Sequence, residues 1–314
     1  MKILIAGATG AIGRPLCRLL QADGHEVAGL ARSAERAAAL RAAGVEPHVC
    51  DVYDAGSVHD AVAAAAPEVL IHQLTAIPAN VDIRRYERDF AQTERLRREA
   101  TPHLMAAARA AGVRRVLCQS ISFMTAPQGP RIHDESARSF TEAQHQFGPM
   151  VRATDAMERS VLGTPDVEGV VLRYGFFYGP GTSYSPDGGI VAEIARRRFP
   201  VAGGGTGVSS FVHIDDAAAA TVAALTGGTP GIYNVCDDEP AAMHEWLPAM
   251  AAAAGAKPPR RVPAFLARLA AGAHAVHFAT EMRGNSNAKF KRTFGWTPSH
   301  PSWQEGFDEV FATR

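Results

Sequence analysis

The chain has 314 residues, 46% apolar and 20% charged, and its 32 basic and 32 acidic side chains cancel to a formal net charge of zero. That length suits a large α/β unit with a smaller appendage, and the balanced charge argues against a nucleic acid or an anionic membrane surface as partner. Cys17, Cys50, Cys118 and Cys236 show no paired or metal-type spacing. They read as buried thiols in a reducing cytosol, and with no membrane-length apolar run and no room for a signal peptide before the first strand, the expected location is cytoplasmic.

Met1 to Ala6 reads as an apolar strand that runs straight into Gly7-Ala8-Thr9-Gly10-Ala11-Ile12-Gly13. Such a turn, opening a helix, can hold a nucleotide pyrophosphate. Gly7 lets the chain turn sharply, Gly10 removes the Cβ that would block the phosphates, and Gly13 lets the helix lie close to the sheet. Thr9, Ala11 and Ile12 complete the cradle, with free N–H groups at the positive end of the helix dipole. Ile12, Leu16, Leu19 and Leu20 recur at helical spacing, and Pro15 falls in the first turn.

Further apolar runs predict strands at Val27 to Leu30, Pro47 to Cys50, Val69 to His72, Val116 to Gln119 and Val170 to Arg173. Between them, Ala34 to Ala43, Val58 to Ala65 and Gln92 to Ala111 have helical periodicity. Strands alternating with helices imply an α/β fold, a doubly wound parallel sheet of Rossmann type. After Arg173 the pattern loosens into Tyr174-Gly175-Phe176-Phe177-Tyr178-Gly179-Pro180-Gly181 and a Gly/Ser/Pro-rich loop to Gly189. A helix is expected from Ile190 to Arg198, an ordered element from Phe211, helix from Thr221 to Leu225, and a mostly helical tail from Ala241. The division expected is a dinucleotide-binding part, residues 1–173 plus about 208–236, and a smaller substrate-binding region, about 174–207 plus 237–314, closing over the strand ends.

The second strand ends Ala31-Arg32-Ser33, with Arg36 one helical turn on. An acidic residue there would suit the ribose 2′-OH of NAD, whereas guanidinium groups suit a 2′-phosphate, so the cofactor expected is NADP(H). One charge-assisted hydrogen bond of roughly 1.5–3 kcal/mol gives about a ten- to hundred-fold preference. The alternative is that Arg32 is simply a solvated arginine.

Gly7-x-x-Gly10-x-x-Gly13, Asp51-Val52, Tyr178-Gly179-Pro180, Phe211-Val212-His213-Ile214-Asp215-Asp216 and Phe294-Gly295-Trp296 together resemble the extended short-chain dehydrogenase/reductase family, which includes nucleotide-sugar epimerases and dehydratases and many NAD(P)-dependent reductases. The resemblance implies that Asp51 accepts from the adenine amino group while Val52 packs on its ring. Leu74, Thr75, Ser120, Tyr174 and Phe177, at the ends of the later strands, complete the expected cofactor contacts.

In that family a tyrosine moves the proton, and a lysine four residues later lowers its pKa and binds the nicotinamide ribose, both on one helix face. No tyrosine in this chain precedes a lysine by four. Aligned through Glu158, the two positions fall on Met150 and Thr154, which are expected to face the substrate pocket. The family's serine position falls on Ile121, between two serines, so Ser122 either replaces it or caps a turn. Where nucleotide-sugar enzymes carry an arginine before the Asp-Phe-Val segment, this chain reads Val208-Ser209-Ser210-Phe211, which argues against a nucleotide-sugar substrate. Phe265, Leu266, Phe278 and Met282 either line an apolar pocket or belong to the core.

The reading that follows is an NADPH-dependent reductase with a non-standard proton donor, acting on the carbonyl or conjugated carbonyl of a small, apolar molecule. Ser122 and Tyr178 are the first candidates to polarise the substrate oxygen, with His133 as an alternative acid; Tyr174, Asp134 and His145 are further candidates, and His213 reads as structural. No metal-type cluster is seen. A homodimer is an open expectation. The competing readings are a non-catalytic NADP-binding sensor and a non-redox isomerase, dehydratase or cyclase.

Overall fold

In the computed structural model, which describes residues 1–78 and 81–312, the first apolar run forms β1 (Lys2–Ala6) and the glycine turn delivers the chain into α1 (Gly13–Ala22). The alternation repeats through β2 (Glu26–Ala31), α2 (Ala34–Ala42), β3 (Glu46–Val49), α3 (Ala55–Ala65) and β4 (Val69–His72). A helical arm, α4 (Tyr86–Arg95) and α5 (Thr101–Ala110), leads to β5 (Arg115–Ile121). A short β6 (Ile132–His133) precedes α6 (Gly148–Leu162) and β7 (Glu168–Tyr174).

Next come β8 (Phe176–Tyr178), α7 (Gly189–Ala195), β9 (Val201–Ala202), β10 (Val208–Ser209), β11 (Phe211–His213), α8 (Ile214–Ala223) and β12 (Gly231–Val235). The tail adds β13 (Ala241–Ala242), α9 (Met243–Ala253), β14 (Arg261–Val262), α10 (Ala264–Ala271), α11 (Ala273–Thr280), β15 (Gly284–Asn285), α12 (Ala288–Phe294) and α13 (Trp303–Ala312).

The main sheet has seven strands in the order β12-β7-β5-β4-β1-β2-β3, every neighbouring pair parallel. The winding reverses between β1 and β4, which opens a crevice at their carboxyl ends. Strand alternation sends Ile3 and Ile5 to one face and Leu4 and Ala6 to the other. Leu16 and Leu20 of α1 and Ala217 of α8 cover the first face; Val58 and Val62 of α3 and Leu104 of α5 cover the second. Each fully buried Leu or Ile contributes about 1.5–3 kcal/mol. A separate core around Phe211, Trp246, Trp303 and Phe307 holds the C-terminal part. Asp216 ties the two parts by accepting the Ser299 and His300 N–H groups, at 2.8 and 2.9 Å.

The six predicted strands are present; β12 is a seventh that the apolar pattern does not reveal, because Gly231 and Asn234 interrupt it. Phe211–His213 pairs with β8 outside the main sheet. The expected helix from Gln92 to Ala111 is interrupted by a π-helical turn, Leu96–Ala100, just before Pro102. Pro102 has no N–H for the carbonyl four residues back, and the wider turn accommodates it. The helices expected to reach Arg198 and Leu225 stop at Ala195 and Ala223. All four cysteines are buried and free, and among the described residues no helix is long and apolar enough to cross a membrane.

Candidate active site

The turn after β1 is built for an anion. Gly7 has φ +104°, and a Cβ there would stand 2.5 Å from the Gln73 carbonyl oxygen. Gly13 is likewise closed off by the Gly7 carbonyl. Gly10 differs: the nearest protein atom to an added Cβ is 3.2 Å away, and Gly10 and Ala11 are exposed. Its bare Cα therefore keeps space clear in front of α1. That helix starts with no capping side chain and no acidic residue in its first turn; its Arg14 N–H donates to the Gly10 carbonyl at 3.2 Å and Pro15 has none, so what it offers a phosphate is chiefly the positive end of its dipole. These residues fit the pyrophosphate of a dinucleotide.

Beside this cradle Ser33 caps α2 by accepting from the Arg36 N–H at 3.3 Å, and Arg36 Nη1 donates to Thr9 Oγ1 at 2.9 Å. Arg32 is exposed at the tip of β2. Asp51 is exposed after β3, its carboxylate accepting from the Tyr53 N–H at 3.0 Å, while Val52 packs partly against the core. At the end of β4, Gln119 Nε2 donates to the Leu74 carbonyl at 3.2 Å, and Thr75 is exposed.

Two further residues of the expected cofactor contacts make buried bonds within the protein. Ser120 Oγ donates to Glu158 Oε1 at 2.5 Å, and Glu158 is clasped by Arg173 at 2.8 and 2.6 Å in a buried, two-pronged ion pair. Tyr174 is 2% exposed, its hydroxyl held by Thr221 Oγ1 at 2.7 Å and by Gln73 Nε2 at 3.3 Å. Phe177 packs against the Tyr174 ring, half-buried.

The three catalytic candidates separate. Ser122, just past β5, is buried, and its hydroxyl has no hydrogen-bond partner among the described residues. His133 has both ring nitrogens occupied within its own loop, by Thr125 Oγ1 at 2.9 Å and the Gln128 carbonyl at 3.1 Å. Tyr178 lies in the C-terminal core, edge-on to His213, Phe211 and Phe307, and burial drives its pKa upward. His133 and Tyr178 are thus each held by local packing. Of the others, Asp134 is held by Ser136 and His213 caps α8. His145 sits among Phe140, Phe147 and His277, and burial pulls its pKa down to about 4.

Met150 and Thr154 are buried on the same face of α6. Thr154 Oγ1 donates to the Met150 carbonyl at 2.7 Å and accepts from Arg97 Nη1 at 2.5 Å, and the same nitrogen touches Met150 Sδ. Arg97, in the π turn, is 3% exposed, and its Nε has no partner. The residue pattern held one signal for it: Arg97 interrupts the buried stripe Thr93, Leu96, Ala100, Thr101 and Leu104. Beside Met150 lies an aromatic wall of Tyr86, Phe123, Phe147 and Phe278, with Phe123 stacked on Phe176 at 4.1 Å. Phe278 packs against this cluster and Met282 is buried, whereas Phe265 and Leu266 of α10 are 70% and 45% exposed.

A glycine cradle at the reversal point of a doubly wound sheet defines a nucleotide-binding α/β protein. The chain belongs to the NAD dependent epimerase/dehydratase family, whose model matches residues 3–236. It is 46% identical over 98% of its length, and 99% of the other's, to a 3-diazoavenalumate denitrifying reductase from a Streptomyces species. A 2-alkyl-3-oxoalkanoate reductase from Stenotrophomonas maltophilia is 28% identical over 82% of this chain and 76% of that one. Among solved structures, the Thermus thermophilus UDP-glucose 4-epimerase complex with NAD matches with TM-score 0.75 at 27% identity, over 99% of this chain and 98% of that one.

Proposed function

We propose that this protein is an NADPH-dependent reductase that removes a diazo group from a small aromatic substrate as dinitrogen. The observation that carries the reading is on α6, where Met150 and Thr154 are buried on one face; aligned through Glu158 they take the places of the family's tyrosine and lysine, and in that reading the face holds no titratable proton donor. When bound, the reduced nicotinamide supplies hydride, and an arenediazonium that gains hydride and loses dinitrogen becomes a neutral arene. No alkoxide forms, so no general acid is required. The 46% identity to a reductase named for denitrifying a diazo compound supports the same chemistry. In this reading Gly7, Gly10 and Gly13 hold the pyrophosphate, Arg32 and Arg36 the 2′-phosphate, and Asp51 the adenine, while Phe123, Phe147 and Phe278 seat an aromatic ring and keep water out.

A second reading, reduction of a carbonyl or conjugated carbonyl, is favoured by the unpartnered Ser122 hydroxyl, which could donate to a substrate oxygen. Anaerobic NADPH oxidation against arenediazonium salts, ketones, quinones and enones, corrected for the rate without protein, separates the two. Oxidation with dinitrogen release supports the first. Turnover of carbonyls alone replaces it with the second, and no turnover anywhere ends both.

A further inference from the structure

We infer that Arg97 binds the hydroxyls of the nicotinamide-side ribose, carrying from the opposite helix the positive charge that a lysine at position 154 would carry. The inference rests on the nicotinamide reading above. Arg97 is buried, yet its neighbours at hydrogen-bond distance are neutral: Thr154 Oγ1 and Met150 Sδ. Of the carboxylates nearby, Glu158 is held by Arg173, while Glu94 lies 3.8 Å from Arg98 and, with its Oε1 unpartnered, makes no hydrogen bond to Arg97. A guanidinium stays protonated, and a buried charge with an idle N–H is costly unless an acceptor arrives. Arg97 Nε is such an idle donor.

The backbone is arranged to put it there. Arg97 lies inside the π turn Leu96–Ala100, which widens the helix just where this side chain must cross to α6. Its guanidinium then occupies the space beside Thr154 that a longer side chain at 154 would fill. A planar fork of donors suits a vicinal diol, since two N–H groups reach two neighbouring oxygens.

The test compares two ligands by calorimetric titration: NADPH, and adenosine 2′,5′-bisphosphate, which lacks the nicotinamide ribose. In Arg97→Gln, affinity for NADPH should fall about ten-fold or more while that for the bisphosphate stays within about two-fold. Adding Thr154→Lys to Arg97→Gln should bring NADPH affinity back to within about three-fold of the wild type. Unchanged NADPH affinity in Arg97→Gln, or equal loss of both ligands, overturns the assignment. Should the single variant not fold, the double variant decides: bisphosphate bound normally with NADPH weakened more than about ten-fold overturns it as well. A wild type that binds neither NADPH nor NADH ends the cofactor reading itself, whereas wild-type binding with an indifferent Arg97→Gln ends only the role of Arg97.

Discussion

Arg36 Nη1 donates to Thr9 Oγ1 at 2.9 Å, so one guanidinium spans the glycine turn after β1 and the helix after β2. A 2′-phosphate entering between them would meet Arg36 already held in place, with Arg32 exposed alongside. NADPH should therefore bind at least about ten-fold tighter than NADH, and Arg36→Ala should remove most of that difference with little effect on NADH. Calorimetric titration of both cofactors checks this; equal wild-type affinities would refute the NADP assignment.

Tyr178 and Ser122 each carry an unpartnered hydroxyl, but in different surroundings. Tyr178 is packed into the C-terminal core against Phe307 and Gly306. Tyr178→Phe removes a buried group that makes no bond, so it should leave turnover unchanged and stability equal or higher by up to about 1 kcal/mol. Ser122→Ala should lower carbonyl reduction by roughly 10²-fold or more if the second reading holds, and change diazo removal little. Single-turnover rates and thermal melts of the two variants distinguish these outcomes. A large rate loss in Tyr178→Phe would return that residue to the catalytic set.

His72 is fully enclosed at the end of β4, Nδ1 accepting from the Leu74 N–H at 3.3 Å and Nε2 paired with Thr101 Oγ1 at 2.9 Å. Burial, and secondarily Arg97, pull its pKa down to about 4. The unfolded chain takes up a proton near pH 6.5, whereas the folded one resists until about pH 4, so the unfolded state binds more protons in that window. The contribution of His72 is thus whole above pH 6.5 and is lost as pH falls toward 4, to the order of 3 kcal/mol at most. Urea midpoints at several pH values should show wild type losing more stability on acidification than His72→Gln. Parallel losses would contradict a buried neutral imidazole.

Much of the scaffold is legible in the residues because it follows from short-range pattern. The run Ile3-Leu4-Ile5 must be a strand buried on both faces, and Gly7, Gly10 and Gly13 allow few other geometries. The site residues are harder, because the relevant facts are pairings across long separations. Nothing near Ser120 announces that its hydroxyl goes to Glu158, nor near Tyr174 that Thr221 holds it. Arg97 meets Thr154 across 57 positions, by way of a π turn that helical periodicity does not distinguish from an ordinary one. β12 is hidden because Asn234, buried with its side-chain amide donating to the Ser286 carbonyl and its backbone N–H to Glu135, breaks the apolar alternation.

The most direct measurement follows the hydride itself. Single-turnover reaction of an arenediazonium with NADPH deuterated at the transferring carbon, in ordinary water, should yield dinitrogen and an arene carrying deuterium derived from the cofactor, at a rate unaffected by Tyr178→Phe or His133→Gln. An arene carrying only solvent hydrogen, or dinitrogen released without oxidation of NADPH, would contradict it.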